Sequence, residues 1–271
     1  MTTEKNIVIK EFFGFGGYTR PAEGFLSWQH LTFVTLLMVA MATFAVLIGN
    51  KAKALEENKK NKVLMISAIM IDSFELFKII ILCIRHSDPL LWIYELPLFL
   101  CSIQLIALPL AAFSKGRLRE AAIDFVMIFG ILGAVLGTYG AGNNYSVYPV
   151  LGFDNVISGI THSISGFASL YIMISKMSSM KKKNLPLTFA ILTSFCAAAY
   201  LANLIIDYNY MFLMKGDGTP YDIVYNLFNG NPVLYPLAVV LLFFVYILSF
   251  YFVYYLIKKP KTKNIPAFNN N

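Results

Sequence analysis

The chain has 271 residues, of which 58% are hydrophobic, 15% aromatic and only 14% charged, with a net charge of +7 and a mean hydropathy of +0.64. A soluble domain carries about 25% charged residues, so this composition excludes an ordinary water-soluble globule and makes lipid the expected solvent. The excess of base, 22 Lys and Arg against 15 Asp and Glu, raises nucleic acid as a partner, but its placement along the chain argues for membrane topology instead.

The first thirty residues carry Glu4, Lys5, Lys10, Glu11, Arg20 and Glu23 and no early apolar run, so no cleaved leader is expected. Residues 1–27 read as an extracytoplasmic segment. A hydrocarbon layer about 30 Å thick needs about 20 apolar residues of helix. Seven runs qualify: Trp28–Asn50, Val63–Ile84, Leu91–Phe113, Ala121–Tyr139, Val156–Lys176, Leu185–Ile206 and Val233–Ile257. Helix is expected because each backbone polar group must find its partner within the bilayer. The runs are too long and too uniform for barrel strands. The predicted fold class is all-α, a polytopic bundle of seven transmembrane helices over residues 28–257, with a disordered polar tail over 258–271.

The bases set the direction. Segment 51–62 holds five Lys and Arg, 115–119 three, 176–183 four and the tail after Ile257 four. The opposite connections hold three in the N-terminal segment, then Arg85 and Lys215. Sixteen against five predicts an outside N-terminus and a cytoplasmic C-terminus in a multi-pass protein of the cell membrane. The net positive charge is thus a topology signal, and no nucleic-acid partner is expected.

Three cysteines without CxxC spacing make neither a disulfide framework nor a zinc site. HExxH, GxGxxG, P-loop and GxSxG are all missing. Topology then gives depth. Cys101 and Gln104 fall in the outer half of the third run and His162 in the outer half of the fifth. The sixth ends near Asp207, Tyr208, Asn209 and Tyr210, and His30 starts the first run at the outer interface. Cys101 and Gln104 share a helical face, as do Ser158, Thr161, His162, Ser165 and Ser169, and likewise Tyr200, Asn203, Asp207 and Tyr210. Polar stripes in lipid turn inward. Gly130, Gly133, Gly137 and Gly140 read as close helix contact. Asp72, Glu75 and Lys78 lie in the middle of the second run, with Glu75 and Lys78 spaced to pair; they suit either a structural pair or a polar cavity. Asp124 reads as an inner interface charge near Arg117 and Arg119, and His86 as a solvated loop residue.

Four motifs, in this order, carry a resemblance: FLSWQHL (Phe25–Leu31), ELPLFLC (Glu95–Cys101), ITHSISGFASLY around His162, and DYNYMFL (Asp207–Leu213), with Tyr235-Pro236 behind them. The chain resembles the bacterial YwaF-type integral membrane proteins, which are related to the animal transmembrane protein 164, over nearly its whole length, from Phe25 to Leu256. The sequence departs at Phe99, where many bacterial members carry a histidine. The resemblance implies a phospholipid acyltransferase with a cysteine nucleophile, matching Cys101, and a histidine, matching His162. More remote relatives of the androgen-induced-protein-1 type are lipid-ester hydrolases. The implied partners are a membrane phospholipid and a lysophospholipid, and no metal or soluble cofactor is required.

On that reading Cys101 attacks an ester carbonyl and His162 serves as base and then as acid. Gln104, Asn209 and Tyr210 are candidate donors to the oxyanion, Asp207 a candidate for orienting the imidazole, and His30 a candidate substrate contact. Water in place of the second lipid makes a hydrolase. A competing expectation is a small-solute transporter using Asp72, Glu75 and Lys78. A Cys83–Cys101 disulfide is the oxidised alternative that would remove the nucleophile.

Overall fold

The computed structural model describes residues 2–178 and 180–258, with side chains from Val8 onward. The expected disordered tail therefore falls, apart from Lys258, outside the described residues. Ten helices follow one another: α1 (Thr2–Phe13), α2 (Trp28–Ala52), α3 (Glu57–His86), α4 (Gln104–Phe113), α5 (Gly116–Tyr139), α6 (Gly142–Val147), α7 (Phe153–Ser175), α8 (Leu185–Ile206), α9 (Tyr221–Leu227) and α10 (Leu234–Ile257). Among the described residues there is no strand. The protein is all-α, and five of its helical stretches are long and apolar enough to cross a membrane: Trp28–Ala52, Gly116–Val147, Phe153–Ser175, Lys182–Ile206 and Leu234–Ile257.

Two of the seven expected runs differ from the rest. The second becomes α3, whose 30 residues are ample in length but carry Asp72, Glu75 and Lys78 in mid-helix. The third is not one helix. A single 3-10 turn at Leu91–Tyr94 gives way to an irregular arm over residues 95–103, and only then does the ten-residue α4 begin. Proline explains the break. Pro97 has no N–H to donate and keeps Leu96 out of the α region.

Helices α5 and α7 form the centre, with the most extensive contact in the bundle; α2 packs on α7, α4 on α5, and α3 on both α4 and α7. Small residues let the central pair touch. A Cβ on Gly130 would sit 2.7 Å from the Ser165 carbonyl oxygen. Hydroxyls stitch the seam, as Ser165 donates to the Gly130 carbonyl at 3.3 Å and Ser169 to that of Met127 at 2.6 Å. This is the expected inward turn of the α7 polar stripe. The sequence places apolar side chains all round α10, and many of them remain exposed, which suits a lipid-facing helix.

Two buried charge centres tie the ends of the bundle. At one end, Arg85 closes α3 and donates twice to Asp154 in the first turn of α7, at 2.7 Å each. Tyr18 donates to the same carboxylate at 2.6 Å, and the guanidinium lies 5.9 Å from the rings of both Tyr18 and Tyr148. His86, the next residue, is exposed as expected. At the other end, Asp124 is not an interface charge near Arg117 and Arg119. It is buried and accepts from Ser178 and Asn184, which lie between α7 and α8, and from Tyr251 of α10.

The Arg85–Asp154 pair has 6% and 9% of its side chains exposed, and removing one partner of such a pair strands a charge. Asp154→Asn should destabilise the protein by about 3 kcal/mol, read as a lowered thermal midpoint in detergent, whereas Glu56→Gln, at an exposed position, should leave the midpoint unchanged.

Candidate functional site

Hydrocarbon tolerates irregular backbone only where protein satisfies it, and the arm is satisfied in a specific way. Ser102 Oγ accepts from the Phe99 N–H and donates to the Phe99 carbonyl, both at 3.1 Å. The Tyr210 hydroxyl donates to the Ile93 carbonyl at 2.6 Å and accepts from the Leu96 N–H at 3.3 Å. The Phe99 ring packs among Tyr208, Tyr210 and Phe212, with centroids 5.1–6.2 Å away. The side chain at this departure from the bacterial pattern is thus an anchor for the arm.

At the end of the arm, Cys101 sits three residues ahead of the first residue of α4. All three cysteines are free thiols, so Cys83 and Cys101 are not joined.

His162 reaches the same place from α7. A Cβ on Gly137 would fall on its imidazole ring, and a Cβ on Gly133 would lie 3.3 Å from the Cys101 Cα. These two glycines are four residues apart, about 6 Å along one face of α5. The stripe that reads in sequence as helix packing therefore does more: one glycine makes room for the thiol segment and the next for the imidazole. Both residues are half-buried. Neither side chain forms a hydrogen bond to another described residue.

The charged residues of α3 join this site. Lys78 Nζ donates to Glu75 Oε1 at 2.5 Å and to Glu95 Oε2, on the first residue of the arm, at 3.0 Å. Through Glu95 the lysine is tied to the arm that carries Cys101. Sequence reasoning put Asp72, Glu75 and Lys78 in a separate, competing site. The depth argument that gathered Cys101, Gln104 and His162 would have included Lys78, the one base outside the connections and the termini, had it been applied to α3.

The remaining candidates divide sharply. Gln104 is fully buried, opens α4, and has neither its amide nitrogen nor its oxygen partnered. Asp72 also has one carboxylate oxygen buried without a partner. Asn209 is fully committed to its own loop, accepting from the N–H groups of Met214 and Lys215 and donating to the Lys215 carbonyl. Tyr210 supports the arm rather than reaching the sulfur. Asp207 is exposed and caps α8 in a left-handed conformation. His30 is buried with both ring nitrogens engaged: Nδ1 accepts from the Leu26 N–H and Nε2 donates to the Thr138 carbonyl, each at 3.1 Å. Its ring stacks on Tyr145 at 3.8 Å. His30 fixes the start of α2 against α5. Among the described residues, no group of three His, Cys, Asp or Glu side chains is arranged to hold a metal ion.

The sequence profile of the TMEM164 family matches residues 25–258. The chain belongs to the TMEM164 family. The match takes in every residue of the Cys101 site and leaves out α1 and the loop behind it. No curated protein and no solved structure matches significantly. As a TMEM164-family chain with these apolar helices, it is a membrane protein.

The glycine face is directly testable. In Gly137→Ala the new methyl group meets the imidazole, so His162 must move or the helices must part. The expected result is a destabilisation of about 1–3 kcal/mol, read as a lower thermal midpoint, with slower alkylation of Cys101. Gly133→Ala, where the neighbour need yield only slightly, should do less on both counts.

Proposed function

We propose that this chain is a membrane-embedded lipid acyltransferase in which Cys101 is the nucleophile and His162 the general base. The observation that carries the reading is the placement of the Cys101 segment and the His162 ring over adjacent glycines on one face of α5. The TMEM164 family membership agrees with it. Within that family we group the chain with the bacterial YwaF-type members. We also propose seven crossings of the cell membrane, with α3 as the second and the broken 91–113 element as the third, the N-terminus outside and the C-terminus cytoplasmic. That orientation rests on the distribution of Lys and Arg.

The chemistry follows in two half-reactions. Cys101 Sγ attacks the ester carbonyl carbon of a phospholipid while His162 takes the thiol proton. The carbonyl oxygen becomes an oxyanion, for which the buried, unpartnered Gln104 amide is the side-chain donor. The C–O bond then breaks, and His162 returns the proton to the departing lysophospholipid. An acyl-thioester remains on Cys101. The hydroxyl of a second lysophospholipid attacks it, His162 again taking the proton and then delivering it to the sulfur. Water in the second step gives hydrolysis at the same residues. Neither a metal nor a soluble cofactor enters the scheme. Because Lys78 bonds Glu95, the first residue of the arm that carries Cys101, we read the α3 charges as part of the thiol site and not as a transport path.

The test uses purified protein in vesicles containing a phospholipid with a radiolabelled acyl chain and an unlabelled lysophospholipid. Wild type should carry label on protein as a hydroxylamine-sensitive thioester and pass it to the lysolipid. Cys101→Ala should lose both signals, and His162→Ala should reduce them by at least about 100-fold. Transfer that persists in Cys101→Ala would sink the proposal, and label released only as free acid would make the protein a hydrolase.

A further inference from the structure

The residue that joins the arm to the helices behind it is Lys78, and its setting is costly. Lys78 and Glu75 keep only 17% and 12% of their side chains exposed, and Glu95 30%. Charges in the membrane interior are expensive, and an apolar trio would pack there at no such cost. A structural explanation therefore leaves the trio unaccounted for.

The arm itself supplies the account. Its backbone is irregular from residue 95 to residue 103, so no helical ladder holds Cys101 at a set height. Tyr210 fixes the arm to the 207–213 loop, and Ser102 fixes it to itself. The Lys78–Glu95 bridge of 3.0 Å ties it to α3. Helix α3 packs on α7, which carries His162. Glu75 grips the same ammonium from one turn below, so the lysine is held on its own helix before it reaches the arm.

We propose that Lys78, held by Glu75 and bonded to Glu95, is a positioning residue that keeps the Cys101 arm in register with His162. This rests on the thiol and imidazole reading above. The lysine touches neither reacting atom. It acts by setting where the arm stands, and displacement of reacting groups by about 1 Å costs about 100-fold in rate.

The experiment is a double-mutant cycle in full-length protein from which Cys83 and Cys196 have been removed by substitution with alanine, leaving Cys101 as the single thiol. The readouts are the rate of Cys101 alkylation by N-ethylmaleimide and the rate of acyl transfer, with the thermal midpoint as a control. Glu95→Gln is the primary variant because it cuts the tie to the arm and leaves Lys78 paired with Glu75. It should keep the midpoint and slow acyl transfer by about 10- to 100-fold. Lys78→Met should slow transfer to a similar extent, and Lys78→Arg should restore most of it. The double variant Lys78→Met with Glu95→Gln should be no slower than the worse single variant, because both cut one link. Losses that multiply in the double variant, or transfer unchanged in Glu95→Gln, overturn the proposal. If Cys101→Ala retains acyl transfer, the acyltransferase reading itself falls; if only Glu95→Gln is silent, the clamp alone is wrong.

Discussion

The contact of α7 with α5 is the constraint on which the rest of the structure depends. Two helices can approach this closely only where one of them lacks side chains, and Gly130 and Gly137 provide that along one face of α5. Because the seam is tight, the Ser165 and Ser169 hydroxyls reach carbonyls across it. The same closeness puts the His162 ring against Gly137, and so fixes the height of the imidazole in the bundle. The Cys101 arm then packs against the next glycine of that face. Removing side chains from α5 thus creates both the packing and the space in which the site lies.

A second constraint shapes what stands opposite the imidazole. Pro97 in the arm removes a helical N–H and disfavours the α region at Leu96, and the backbone groups left over need other partners. The protein answers with side chains: Tyr210 and Ser102 take over backbone hydrogen bonds that a helix would have made. The thiol therefore stands on the irregular arm ahead of α4 instead of in the wall of a long helix.

Much of this was legible in the residues alone. Apolar runs marked the helices, since lipid leaves helix as the way to pair the backbone. Depth read from the basic connections puts Cys101, Gln104 and His162 at one level; in the structure the Cys101 segment and the His162 ring lie over Gly133 and Gly137 of α5. What escaped had physical reasons. Pro97 signals a break, but hydropathy averages over it, so 91–113 looked like one span. The partner of Arg85 is Asp154, 69 residues away, and no local pattern reveals such a pair. Asp124 looked like a surface charge because three basic residues precede it, while its partners lie in a distant connection. Asn209, Asp207 and His30 were chosen by residue type and depth, and neither tells whether a polar group already has its partners. Gln104 and Asn209 are alike in sequence terms and opposite in structure, one unpartnered and the other fully used.

The support given by Tyr210 has a consequence for the last third of the chain. Tyr235, near the start of α10, donates to the Phe212 carbonyl at 2.6 Å, and Asn203 of α8 binds both backbone groups of Tyr210. Helices α8 and α10 thus act as a splint for a segment more than a hundred residues earlier, though they bring no reactive group of their own. During synthesis the arm is made before its splint exists. Until Tyr210, just beyond α8, has been made, the Ile93 carbonyl and the Leu96 N–H lack this partner. The thiol site is therefore among the last parts of the molecule to mature, and a nascent chain that stops after α7 would hold every residue of the site without its shape.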